Sequence, residues 1–213
     1  VGSSRGLTTL NTNIIDEKLG VNGVNLSMDD TDLKTQFLMI KHFFNSGYSS
    51  KFLILTLDET HFAQSFPSLG NNDYRFAPFI NRDYVQSHFN KYENNTLSII
   101  SNSNINPFFC YSYYNFELLL PAALSIIKPK FRNKFDKKGN YSYPNSGVKL
   151  LYNKNKAIQK KIKNPLVKEI KEFLNKNKCK LVIYIAPYFN KEYVLNKNEF
   201  DYNVINHTNI LKD

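Results

Sequence analysis

Three short polar clusters contain the residue types that could carry out chemistry. They are Gly2-Ser3-Ser4-Arg5, Asn25–Asp30 and Asp58-Glu59-Thr60-His61. A serine on a sharp turn from a strand into a helix exposes its hydroxyl beside backbone N–H groups, which is what an acyl-transfer nucleophile requires. Gly2 permits such a turn and lets the backbone approach a substrate. Taken alone, however, Gly-Ser-Ser is more often an ordinary serine cap of a helix.

Each cluster follows a stretch that is predicted to be a strand or a strand end. The runs at 52–57 and 180–187 are dominated by consecutive apolar residues, the pattern of parallel strands buried on both faces. Ligands bind beyond the carboxyl ends of the strands in such sheets, so we expect the three clusters to meet at one edge. The sheet is predicted to contain four parallel neighbours: Val1, Val24–Met28, Phe52–Leu57 and Lys180–Ala186.

Helices are predicted between these strands. Apolar residues keep helical spacing from Leu33 to Phe44, with Asp30 or Thr31 as the N-cap and an end at Gly47. A second helix is predicted to begin at Asn164-Pro165. The sequence therefore predicts an α/β fold, a three-layer parallel sheet with helices on both faces. We expect residues 1–213 to form one domain, truncated at both ends, in which residues 60–160 make an irregular basic cap or insertion.

The charge distribution argues against a dedicated nucleic-acid binder. The formal net charge is +10, but residues 1–127 hold 8 Lys and Arg against 11 Asp and Glu, whereas residues 128–213 hold 20 against 7. Of the 28 basic residues 24 are lysines, and lysine lacks the bidentate geometry by which arginine reads bases. We therefore interpret the lysines as solvated surface and expect no specific nucleic acid as a partner.

Composition also argues against several other classes. No stretch approaches the roughly 20 apolar residues of a membrane helix. Two cysteines, Cys110 and Cys179, are too few for a disulfide scaffold, and we expect no bond between them. The histidines at positions 42, 61 and 88 have no metal-ligand spacing, so no metal or cofactor is predicted and each is expected to be an ordinary surface or core histidine.

The combination of clusters resembles the SGNH hydrolase superfamily of GDSL-like esterases, particularly its Gly-Ser-Ser-Arg branch, which acts in polysaccharide O-acetylation. The similar stretches are Val1–Arg5, Asn25–Asp30 and Ile54–Glu59. The resemblance implies a flavodoxin-like fold with Ser4 as the nucleophile, since Ser4 takes the serine position of the family's Gly-Asp-Ser. It also implies a glycan or acylated small molecule as substrate, a membrane-bound acyl donor protein as a further candidate partner, and a place at the cell envelope.

The sequence departs from the family pattern at three positions of the expected site. Asp30 stands where the family has a glycine whose N–H helps to stabilise the oxyanion, and Asp58 stands where it has a donating Asn side chain. An ionised Asp58 cannot donate a hydrogen bond, so either Asp58 is protonated, or it binds a sugar hydroxyl or Arg5, or catalysis is weak, or Asp58 simply caps a helix. The family's Asp-x-x-His pair is not matched at His207, which has Val204 three residues before it, so we expect that pair beyond residue 213.

Two functions remain open at this point. The first is a serine-dependent O-acyl esterase or acyltransferase that acts on a sugar or cell-envelope polysaccharide, with Ser4 as nucleophile and N–H groups of Ser4 and Asp30 around the oxyanion. The second is a noncatalytic glycan-binding or assembly module on the same fold, which the aspartates at positions 30 and 58 favour. A reading frame that continues past Asp213 into Asp-x-x-His would discriminate between them.

Overall fold

The computed structural model describes residues 1–57, 68–92, 123, 126–127, 135–141 and 165–185. Within these ranges the chain is a mixed α/β protein, as predicted, with two strands that form a parallel sheet. The elements are helices α1 (Ser4–Thr9), α2 (Thr12–Leu19) and α3 (Leu33–Asn45), strand β1 (Phe52–Leu57), a 3-10 helix (Asn71–Phe79), helices α4 (Asp83–Tyr92) and α5 (Pro165–Lys176), and strand β2 (Lys180–Ile185).

The two strands pair in the predicted parallel orientation. Their register places Phe52 opposite Lys180 and Leu57 opposite Ile185. On the other side of β1, the amino group of Val1 donates to Ile54 O at 2.8 Å, and Thr56 N donates to Val1 O at 2.8 Å. This alternation is the hydrogen-bond pattern of parallel neighbours. Val1 therefore lies beside β1, on the side opposite β2.

The first core lies between the sheet and helices α3 and α5. Alternate residues of β1 point to the same face, and Leu53, Leu55 and Leu57 are buried there. Helix α5 begins with Pro165, a favoured residue at the first helical position, and its apolar stripe faces these leucines. The buried members of the cluster are Leu33, Phe37, Ile40, Leu53, Leu55, Leu57, Leu166, Val167, Ile170, Leu174 and Cys179.

A second core joins α3 to the 3-10 helix and α4. Leu38 of α3 packs there with Phe76 and Phe89, and the cluster also contains Met28, Ala77, Ile80 and Val85. These two helices lie within residues 60–160, for which an irregular insertion was predicted, so that expectation is wrong for residues 71–92. Burial of the apolar residues of 71–92 against α3 stabilises the helices, although Pro78 and the dense aromatic residues hid the pattern.

Two local predictions about the segment before α3 are also corrected. Residues 24–28 do not form a regular strand, and one backbone bond, from Met28 N to Gly2 O at 3.0 Å, ties them to the first residues of the chain. The N-cap of α3 is Asp32, whose side chain accepts from Thr35 N at 3.1 Å. The hydroxyl of Thr31 instead donates back to Met28 O at 2.7 Å.

The α-amino group of Val1 gives the first testable prediction. Burial lowers the pKa of this group from 8.0 to about 5, since the charged form loses its hydration. Between pH 5 and 8 the unfolded chain therefore holds a proton that the folded chain has released, and the free energy of unfolding should rise with pH across this window. Urea unfolding of this 213-residue chain at several pH values measures the slope.

The control for this prediction is the same chain with an acetylated amino terminus. Burial also lowers the pKa of His42, which adds a slope of the same sign in an overlapping range, so only the difference between the two chains reports on Val1. We expect the acetylated chain to have the shallower slope. Identical slopes would contradict the buried amino group.

Candidate functional site

Ser4 is the first residue of α1 and follows the turn that leaves the sheet. Ser3 is the N-cap residue, with φ −79° and ψ −158°, and its side chain does not cap the helix. Ser3 is buried, whereas Ser4 is partly exposed. The carbonyl of Gly2 accepts the bond from Met28 N, so the turn lies beside the end of the 24–28 segment. Ser4 is thus more accessible to solvent than Ser3, and access to solvent is what a reactive serine needs.

Two glycines let α1 lie directly against the sheet. A Cβ on Gly2 would come within 2.7 Å of Thr56 Cβ, and a Cβ on Gly6 would come within 2.6 Å of Ser27 Oγ. Neither distance is compatible with an ordinary side chain. Among the described residues, Ser27 Oγ and Thr56 Oγ1 are buried without a hydrogen-bond partner. A larger residue at position 2 or 6 would therefore disturb the close packing of residues 2–6 on β1.

The Gly2 contact predicts a specific stability defect. In Gly2→Ala the new methyl group meets the backbone-proximal Cβ of Thr56, which cannot rotate away, so we expect the free energy of unfolding to fall by about 1–3 kcal/mol. Gly70→Ala is the matched control, because its nearest neighbour would be Asp73 Oδ2 at 3.6 Å. Denaturant unfolding should show Gly70→Ala unchanged or slightly stabilised. Equal stability of the two variants would contradict the close packing of α1 on β1.

Asp30 adopts the left-handed backbone conformation. Its φ is 48°, which aspartate tolerates better than most residues. Its backbone N–H donates to Asp29 Oδ1 at 2.9 Å, and the side chain of Asn72 donates to the carbonyls of Asp29 and Asp30. The turn is therefore held from both sides, and the N–H that the resemblance assigns to an oxyanion is bonded to a neighbouring carboxylate.

The same backbone bond relates Ser4 to Asp30. Gly2 and Met28 are joined by a backbone hydrogen bond. Ser4 lies two residues after Gly2, and Asp30 lies two residues after Met28. Chain connectivity thus brings the turn at Ser4 and the turn at Asp30 to one edge of the structure. Asp58 and His207 lie outside the described residues, as do His61 and Cys110, and Cys179 is a buried free thiol.

Asn25 connects α1 to the 24–28 segment, a role that sequence reasoning missed. Its side-chain nitrogen donates to the carbonyls of Gly6 and Leu10 at 3.2 and 3.1 Å, and its side-chain oxygen accepts from Ser27 N at 3.0 Å. The last bond is an Asx turn, which the spacing Asn25-Leu26-Ser27 could have signalled. Because Asn25 satisfies both carbonyls, it holds the carboxyl-terminal end of the short helix that begins with Ser4.

A turn at residues 135–141 closes over Asn25. Lys138 O accepts from Asn25 N at 2.7 Å, and Lys138 Nζ pairs with Asp16 of α2. Asp136 stabilises the turn from within: hydrogen bonds from the side chain and backbone of Asn140, together with Asn13, lower the pKa of Asp136 to about 2. A part of the predicted irregular insertion is therefore a defined turn that supports the candidate site.

The most deeply buried polar group beside the Asp30 turn is Asp73. It is 0% exposed and accepts hydrogen bonds from Thr35 Oγ1 at 2.8 Å, Gly70 N at 2.7 Å and His88 Nε2 at 2.9 Å. The neighbouring residue Asn72 makes the contacts to the 29–30 turn. His88 is thus a satisfied core histidine, as expected, and His42 contacts Tyr84 Oη through Nδ1 at 2.8 Å.

Comparison with protein-family models, curated proteins and solved structures finds no match to this chain. Within the described ranges, no group of three or more His, Cys, Asp or Glu side chains is placed to hold a metal ion. No helix among those ranges has the length and apolar character needed to cross a membrane. The candidate site therefore rests on its own geometry and on the resemblance stated above.

Proposed function

We propose that the chain is a serine-dependent O-acyl esterase or acyltransferase of the SGNH type, acting on a sugar or cell-envelope polysaccharide. Ser4 Oγ attacks the ester carbonyl and its proton passes to a histidine base. The alcohol leaves, and the acyl group on Ser4 then passes to water or to a glycan hydroxyl. The N–H groups of Ser4 and Asp30 stabilise the oxyanion, and Asp58 binds a substrate hydroxyl or Arg5.

The observation that carries this proposal is the position of Ser4. It is a partly exposed serine at the first position of a helix, two residues after Gly2, and the pair Val1-Gly2 is hydrogen-bonded to β1 and Met28. The adjacent Ser3 is buried, and Gly2 and Gly6 permit no bulkier residue. This arrangement matches what a nucleophile turn requires, namely an accessible hydroxyl on a turn whose backbone is rigidly held.

We also propose the finer fold on the same bonds. If residues 24–28 and Val1-Gly2 are counted as neighbours, the spatial order is 24–28, 1–2, β1, β2, with the first two stretches exchanged relative to chain order. That exchange is typical of flavodoxin-like sheets, in which ligands bind where the order reverses. Ser4 and Asp30 follow the two stretches at this reversal.

One contact favours the alternative, a noncatalytic glycan-binding or assembly module. The N–H of Asp30 is occupied by the carboxylate of Asp29, so an oxyanion would have to displace a negatively charged acceptor. A site that only binds a glycan does not need this donor. Asp29 and Asp30 are both exposed and would accept hydrogen bonds from sugar hydroxyls.

Incubation with an O-acetylated polysaccharide separates the two functions. The assayed protein is expressed from its complete native reading frame. The enzyme proposal predicts acetate released, or acetyl groups moved to an acceptor glycan, above the background of heat-denatured protein. Calorimetric binding of the polysaccharide with no acetate release and no transfer would favour the module instead.

A further inference from the structure

The carboxyl-terminal end of α1 is held by a side chain from another segment of the chain. Helix α1 has only six residues, and the side chain of Ser3 does not cap it. So short a helix has little stability of its own, because a whole turn must be fixed before its hydrogen bonds form. The carbonyls of Gly6 and Leu10 both accept from the side-chain nitrogen of Asn25, a buried residue. The position of α1, and with it that of Ser4, therefore depends on how Asn25 is held.

The turn at residues 135–141 holds the backbone of Asn25. Lys138 O accepts from Asn25 N at 2.7 Å. Gly139 lies so close that an added Cβ would come within 2.3 Å of Asn25 O. Its φ is 79°, in the left-handed region that favours glycine. The turn thus contacts both the N–H and the C=O of Asn25, and the contact requires a residue without a side chain at position 139.

The same turn is anchored on α2. Asn140 Oδ1 accepts from both the backbone N–H and the hydroxyl of Thr12, each at 2.9 Å. Asp136 Oδ2 accepts from Asn13 Nδ2 at 2.8 Å. Thr12 and Asn13 are the first two residues of α2, which follows α1 almost directly. The turn therefore fixes the chain just after α1 as well as Asn25, and both of these contacts lie at the carboxyl-terminal end of the helix that begins with Ser4.

From these contacts we propose that the turn at residues 135–141 is a clamp that fixes α1, and that Asn25 and Asn140 are positioning residues for Ser4 in acyl transfer. Asn140 anchors the clamp on α2, and Asn25 transmits its position to the carbonyls of α1. The inference rests on the proposed function, since it assigns the clamp a role in the reaction of Ser4. Misplacement of a reacting group by about 1 Å can cost roughly a hundredfold in rate, so a small shift of α1 is enough to impair the reaction.

Gly139→Ala releases the clamp, because the new methyl group would overlap Asn25 O. Gly47→Ala is the matched control, since Gly47 has a similar φ of 88° but its methyl group would have no neighbour within 4 Å. Amide hydrogen exchange reports on the clamp and on α1 separately. The N–H of Asn25 donates to the clamp, and the N–H of Leu7 donates to Ser3 O within α1. We expect both amides to exchange about tenfold faster in Gly139→Ala than in Gly47→Ala.

Kinetics then test the positioning of Ser4, with each protein expressed from its complete native reading frame. For an activated acetyl ester we expect Gly139→Ala to lower kcat by about ten- to a hundredfold, with KM within about threefold of the parent. Gly47→Ala should keep both constants. If the clamp acts through Asn25, adding Gly139→Ala to Asn25→Ala should lower kcat no further. Asn140→Ala should lower kcat in the same way, and it replaces Gly139→Ala in these comparisons if that variant does not fold.

Three outcomes would overturn the proposal. The first is equal exchange of the Asn25 amide in Gly139→Ala and Gly47→Ala. The second is an unchanged kcat in Gly139→Ala although that amide exchanges faster, and the third is a double variant in which the two losses of kcat multiply. A parent protein with no activity on the ester would contradict the proposed function. In that case the Leu7 amide still decides on the clamp: faster exchange in Gly139→Ala supports it, and equal exchange in the two glycine variants overturns it.

Discussion

Replacing Asp73 by alanine should lower the free energy of unfolding by about 3–5 kcal/mol, the range seen when one partner of a buried pair is removed. The side chain is fully buried, and its removal takes away the acceptor of three donors, Thr35 Oγ1, Gly70 N and His88 Nε2. Glu172→Ala is the control, since Glu172 is exposed and its pair with Lys168 spans 3.9 Å. That variant should stay within about 0.5 kcal/mol of the parent.

If Asp73→Ala does not fold, Asp73→Asn tests the same network through its pH dependence. Burial would raise the pKa of Asp73, but hydrogen bonds from His88, Gly70 and Thr35 together with the charge of His88 outweigh it and hold the pKa below its ordinary value of 3.8. This group therefore stabilises the fold above that value, and the stabilisation is lost as pH falls through the folded pKa.

We expect the parent chain to lose stability on acidification more steeply than Asp73→Asn does, because asparagine does not titrate. Asn72, which is adjacent to Asp73 in the chain, donates to the carbonyls of the 29–30 turn. We therefore also expect faster hydrogen exchange at the backbone amide of Asp30 in both Asp73 variants. Unfolding curves that respond to acid identically in parent and Asp73→Asn would show that the buried carboxylate is not ionised in the native protein.

Replacing Ser4 by alanine should lower ester hydrolysis on the order of a thousandfold or more, because loss of a nucleophile removes the covalent route altogether. The measurement is kcat/KM for an activated acetyl ester, with the protein expressed from its complete native reading frame.

Ser3→Ala is the matched control for this prediction. Ser3 is adjacent to Ser4 but buried, and its side chain does not cap α1, so its removal should leave kcat/KM within a few-fold of the parent. Ser4 is partly exposed, and Ser4→Ala should keep the thermal midpoint of the parent. Loss of activity in Ser3→Ala with retention in Ser4→Ala would reverse the assignment.

The elements that can be predicted from the sequence are those whose burial follows a simple period. The apolar run at Phe52–Leu57 predicts β1 with its observed bounds, and Asn164-Pro165 with the stripe after it predicts α5. Three successive residues of types that commonly cap helices precede α3, and their types alone do not indicate that Asp32 is the N-cap. A local sequence pattern therefore predicts whether an element is a helix or a strand better than it predicts the residue at which the element begins.

The contacts that hold the candidate site could not be predicted in the same way. Asn25 meets Lys138 and Asp73 meets Thr35 across long separations in the chain, and no periodicity encodes such pairs. The resemblance directed attention to Ser4 and Asp30, but the bond between Asp30 N and Asp29 depends on local geometry that a motif does not specify. Helix α4 was hidden because its stability comes from packing on α3 and the 3-10 helix.

The most direct test of the central claim is to locate the acyl group on the protein. The protein expressed from its complete native reading frame is mixed with an activated acetyl ester, quenched in acid within its first turnovers, digested and mapped by mass spectrometry. The account predicts one acetyl group on the Ser4 hydroxyl, absent from Ser4→Ala and retained in Ser3→Ala. Rapid hydrolysis of the ester with no acetyl group on Ser4 under conditions that trap a control acyl-enzyme, or an acetyl group on another side chain, would contradict it.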